Sequence, residues 1–146
     1  MSTAKDIADA ISTRLATITV ANGYATDIGT AVYRGRRTLD EQMLPCLVLV
    51  EGPDQVNEQL RTQAKLAQRY SIEGHSVCDA DNPNDTGHDI IADLKKALFN
   101  GDRTFGGPVR NIEYRGRNIV TREDGFNVVA ASVDIDMTYS ENLAAP

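Results

Sequence analysis

The chain has 146 residues, 41% of them hydrophobic and 25% charged, which suits a single domain over 1–146 better than several domains or a disordered tail. Its 15 Lys and Arg against 21 Asp and Glu leave a formal charge of -6, which argues against sequence-specific or bulk-charge nucleic-acid binding and against an anionic membrane. No run nears the about 18 apolar residues of a membrane span, and residues 1–13 carry charges where a signal peptide would be apolar, so a soluble, cytosolic chain is expected.

Residues 3–21 place Ile7, Ile11, Leu15 and Ile18 at helical spacing, with Ser2 or Thr3 as N-cap, Asp6 in the first turn and Asn22-Gly23 as a left-handed stop. Residues 28–33, with Ile28 and Val32 at even spacing, predict a first strand, followed by a basic loop at Arg34-Gly35-Arg36-Arg37. Residues 46–50, Cys-Leu-Val-Leu-Val, form a continuous apolar run stopped by Gly52-Pro53, which predicts a central strand covered on both faces.

Over residues 59–77 two periods compete, since 60–67 alone could be helix, but Tyr70-Ser71-Ile72-Glu73 favours a strand with one solvated face. An acidic, turn-rich loop follows at 79–87. A second helix is predicted at 86–100, with Ile90, Ile91, Leu94, Ala97 and Leu98 as its stripe, acids early and lysines late.

The remainder reads as a long C-terminal β-hairpin, 109–122 and 126–139, around a turn at Glu123-Asp124-Gly125. Along the first arm the apolar phase shifts across Gly116, which predicts a bulge near Arg115-Gly116-Arg117. The expected fold is α+β, a mainly antiparallel sheet with two helices packed on it. At about 3.3 Å per residue, strands of this length span roughly 40 Å, so the hairpin is expected to project and to offer its edges to a partner.

Catalytic chemistry finds little support in the residues. His75, Cys78, Asp79, Asp81 and His88 are metal-ligand types close in sequence, but no Cys-x-x-Cys or close His pair organises them. A small metal-dependent hydrolase using His75, Cys78 and His88 is the alternative from a different functional class. Cys46, flanked by Pro45 and an apolar run, is expected to be buried and inert, and whether it meets Cys78 stays open. Residues 101–107 lack the lysine and glycine spacing of a phosphate loop. Asp134 and Asp136 share a strand face and read as the wet side of that strand. No catalytic, cofactor or metal residue is therefore assigned.

The tetrapeptide Tyr-Arg-Gly-Arg occurs twice, beginning at Tyr33 and at Tyr114, on a chain whose acidity is concentrated elsewhere. Residues 74–102 hold six Asp against two Lys. Solvated glycine turns are one explanation. The other is contact between subunits, which makes Arg34, Arg36, Arg37, Arg115, Arg117 and Arg122 candidates to meet Asp85, Asp89 and Asp93 of a neighbour.

A leading amphipathic helix, Gly23-Tyr24, the Arg-Gly-Arg turn, the Leu-Pro-x-Leu-Val strand, Tyr70-Ser71-Ile72-Glu73-Gly74, the helix with Ala92-Asp93-Leu94-Lys95-Lys96-Ala97-Leu98 and the closing hairpin together resemble the tail terminator proteins of long-tailed bacteriophages, also called tail-completion or minor tail proteins. The resemblance covers nearly the whole chain. It implies a non-enzymatic virion protein without cofactor, assembled in the host cytoplasm. Such a subunit forms a ring, a hexamer, at the head-proximal end of the tail, stops polymerisation of the tail tube protein and meets the head-tail connector protein. Another head-tail joining component or a tube subunit is the nearest alternative within the same particle.

Overall fold

A computed structural model describes residues 2–35, 38–121 and 127–146. Helix α1 is Thr3–Leu15, strand β1 Val32–Arg34, β2 Cys46–Leu60, β3 Gln63–Val77, helix α2 Pro83–Phe99, β4 Asn111–Thr121 and β5 Val128–Asn142. The strands form one sheet in the order β1-β2-β3-β5-β4, antiparallel except for the short β1–β2 pair. This is the expected α+β fold, with β4–β5 as its long C-terminal hairpin.

The helices bury their predicted stripes. Ile7, Ile11 and Leu15 of α1 and Ile90, Ile91, Leu94 and Leu98 of α2 join Leu47, Leu49, Tyr70, Ile72, Val133 and Ile135 of the sheet in one core cluster. The interval is tight at Gly74, where a Cβ would come 2.6 Å from Ile90 Cγ2. Successive residues of β5 alternate between that core and the opposite face, so Ser132, Asp134, Asp136 and Thr138 share the face that carries neither helix.

Several boundaries differ from the sequence expectation. α1 ends at Leu15, not at residue 21, because Thr17-Ile18-Thr19-Val20 is a β-branched run that resists helix. Ile18 is buried all the same, and a 3-10 turn at Val20–Asn22 ends at Gly23 with φ 91°. The first strand is shorter than predicted: Ile28–Thr30 is a 3-10 turn and only Val32–Arg34 pairs.

β2 does not stop at Gly52-Pro53. The ladder absorbs these two residues in a bulge between Glu51 and Asp54 and continues to Leu60, so the hairpin to β3 turns at Arg61-Thr62, with Arg61 at φ 56°. Cys46, Leu47, Val48 and Leu49 are all buried, as a strand covered on both faces requires, yet β2 is second in the sheet and β3 is its centre. α2 starts three residues early, with Pro83 in its first turn where a missing N–H costs nothing. The bulge predicted near Arg115 is present between Tyr114 and Gly116, with Gly116 at φ 131°. The predicted turn at residues 123–125 lies outside the described residues.

Candidate assembly surface

The described part of the first Tyr-Arg-Gly-Arg segment and the whole of the second lie on opposite edges of one sheet: Tyr33 and Arg34 end edge strand β1, while Tyr114 to Arg117 form the bulge of edge strand β4. A sheet edge presents backbone groups that its own subunit does not pair. Basic side chains at both edges therefore flank the places where another chain can add.

On the β1 edge, Arg34 donates from Nη1 to Asp9 of α1 at 2.5 Å and lies 3.6 Å from Glu51. Lys5 shares the same aspartate at 2.6 Å. Its hydrogen bond is the largest cause holding the Asp9 carboxyl below its ordinary range. Arg36 and Arg37 lie outside the described residues, as does Arg122.

On the β4 edge, Arg115 donates from Nε to Asp136 at 2.8 Å and lies 2.6 Å from Glu113. Arg69 of β3 reaches Asp136 from the other side. Asp136 thus sits between two guanidinium groups on the face without helices, and the Arg69 hydrogen bond is the largest influence depressing its pKa. The expectation of a merely wet strand face missed this junction. Its signal was legible only once register placed Arg69 opposite Asp136.

Arg117 points to the helix side, where Nη1 is 3.1 Å from Nδ1 of His88 on α2. This contact joins the β4 bulge to α2 within one subunit through a histidine and not through an acidic residue. Asp85 and Asp89 are exposed on that helix. Asp93 is not available to a neighbour, because its side chain is buried. It accepts hydrogen bonds from the backbone N–H groups of Ala25 and Thr26 and from Thr26 Oγ1, at 3.0, 2.8 and 2.7 Å, tying the loop after Gly23 to α2.

The proposed metal ligands are not brought together. His75 lies beside Cys46 in the ladder, on the face away from α2, whereas His88 is on α2 itself. Among the described residues no group of three or more His, Cys, Asp or Glu gathers as a cation site. Cys46 and Cys78 are in the thiol form, not joined in a disulfide, and burial is the main influence raising the pKa of the Cys78 thiol.

Sequence reasoning also missed an exposed arm. Beyond Gly52 every residue of β2 is exposed, including Val56 at 57% and Leu60 at 73%. The signal hid in the Gly-Pro pair, which read as an end and is a bulge.

No helix among the described residues is long and apolar enough to cross a membrane. No protein-family model matches the chain, and no curated protein matches it. Among solved structures the fold is similar to that of a chain in the virion of a native gene transfer agent particle, with a TM-score of 0.51 and 15% identity over 78% of this chain and 81% of that one.

Proposed function

We propose that this protein is a structural subunit of a phage-like virion and acts as its tail terminator. Residues 1–146 work as one assembly domain. Copies close into a ring, a hexamer, at the head-proximal end of the tail, where the ring caps the tail tube protein and presents a surface to the head-tail connector protein. The observation that carries this reading is the fold shared along most of the chain with a gene transfer agent virion chain. The tail terminator role itself rests on the resemblance in the order of elements, together with basic residues near two opposite sheet edges. The role needs no catalysis and no cofactor, and it places the protein in the virion after assembly in the host cytoplasm. Arg34, Arg115, Arg117, Asp85 and Asp89 stay interface candidates.

The test is the mass of the purified protein in solution, with images of the protein mixed with tail tubes. Rings of defined size seated on tube ends support the reading. A strict monomer that ignores tubes overturns it, and self-polymerisation into long tubes assigns a tube subunit instead.

A further inference from the structure

We propose that the ring is closed by strand addition, the exposed arm of β2 in one copy pairing with the β4 edge of the next. This rests on the ring reading above and names its subunit contact.

The geometry begins with what the sheet leaves open. β1 pairs only with Leu47, Val48 and Leu49, and the last backbone bond from its end runs from Gly35 N–H to Leu49 O. Among the described residues no strand covers that side of β2 over residues 50–60. At the far side of the sheet, β4 pairs among the described residues only with β5, so its outer edge carries no described strand along 11 residues, a length matching the open stretch of β2. Two long open edges on one soluble chain invite aggregation unless a fitting partner takes them.

Strand direction favours the match. β2 is antiparallel to β3, β3 to β5 and β5 to β4, so β2 and β4 run in opposite directions. A second copy set beside the first with its helices on the same side then places β4 antiparallel to β2, the more stable ladder. Contact between two different edges is head-to-tail, the type that generates rings when the rotation closes.

Side chains on the two edges are complementary. Residues 50–60 carry Glu51, Asp54 and Glu58 and no basic residue, whereas residues 110–121 carry Arg110, Arg115 and Arg117 against Glu113 alone. Each edge also exposes one large apolar side chain on each face. On the helix side these are Val56 and Tyr114, which is 41% exposed; on the opposite face they are Leu60 and Val120, which is 52% exposed. In an antiparallel seam an advance along β2 is a retreat along β4, so one of these pairs can sit face to face, and Val56 against Tyr114 is the one that also sets Asp54 opposite Arg117 on the same side. The bulges after Glu51, Val56 and Tyr114 restrict the registers in which the edges fit.

The test reverses each edge separately. D54K/E58K and R110E/R117E are each expected to fold with wild-type melting profiles and to need at least about tenfold more protein to form rings. Mixing the two variants, or combining all four substitutions in one chain, should restore rings at the wild-type concentration. Hydrogen exchange on the unmodified ring gives an independent reading: the amides in 54–60 that point away from β3 and those in 111–121 that point away from β5 should be protected in the ring and not in the dissociated subunit. Rings from each variant alone at wild-type concentration, or unprotected edges in the ring, overturn the strand contact and leave the ring standing. A wild-type protein that stays monomeric at every concentration overturns both.

Discussion

Arg115 of β4 and Asp136 of β5 meet through a 2.8 Å hydrogen bond beside the Gly116 bulge, so the carboxylate is held at the point where the ladder slips. Arg69 grips it from β3, and three strands are thereby fastened on the face that no helix covers. Asp136 is 14% exposed, which makes its pairing stronger than that of an open surface ion pair.

Asp136→Asn should lower stability by about 1–2 kcal/mol at neutral pH. The folded-state pKa of Asp136 is depressed below the ordinary carboxylate value, so the stabilisation is present above about pH 4 and is lost as pH falls through the lower folded value. Urea unfolding at pH 7 and pH 3 checks this: the gap between wild type and variant should narrow at pH 3, and a gap that widens there contradicts the assignment.

Asp93→Ala should be more damaging, by about 3 kcal/mol, because it leaves two part-buried backbone N–H groups and the Thr26 hydroxyl without their acceptor. Chemical denaturation measures the loss. If Asp93 served a neighbour and not its own fold, the isolated subunit would keep its wild-type stability and only assembly would suffer.

Gly29→Ala tests the join between the end of α1 and the turn at Ile28–Thr30. A Cβ there would press on the Leu15 carbonyl oxygen and lie 2.8 and 2.9 Å from Ile18 O and N, all backbone atoms that cannot swing aside. A loss of about 3 kcal/mol is expected from this overpacking, read as a fall in the urea midpoint. A neutral substitution would mean that the loop stands farther from α1.

Tyr70→Phe should run the other way. The Tyr70 hydroxyl is fully buried, finds no hydrogen-bond partner among the described residues, and has its pKa pushed up chiefly by burial. Removing it deletes an unsatisfied polar atom and leaves the ring in place, so stability should rise by up to about 1 kcal/mol. Thermal melting decides, and a clear loss would reveal a partner for the hydroxyl.

Much of the fold was legible because it is written in local periods. Ile7, Ile11 and Leu15, and Ile90, Leu94 and Leu98, repeat at helical spacing and are buried where that spacing puts them. Val129 to Tyr139 alternate and are buried on alternate positions. The phase shift at Gly116 foretold its bulge, since one inserted residue moves every later side chain to the other face. The candidate surface was less legible. The basic residues were found, but that Arg117 meets His88 and Arg115 meets Asp136 was not.

The sequence by itself determined the element order, the apolar faces of both helices and of β5, and the bulge in β4, because each depends on residues a few positions apart. Only the tertiary structure decided that β2 runs through Gly52-Pro53 to an exposed arm, that Asp93 turns inward, and that Arg69 pairs with Asp136 across 67 positions. These outcomes depend on which strands become neighbours and in what register, and a period of two or of 3.6 residues carries no information about the partner it will meet.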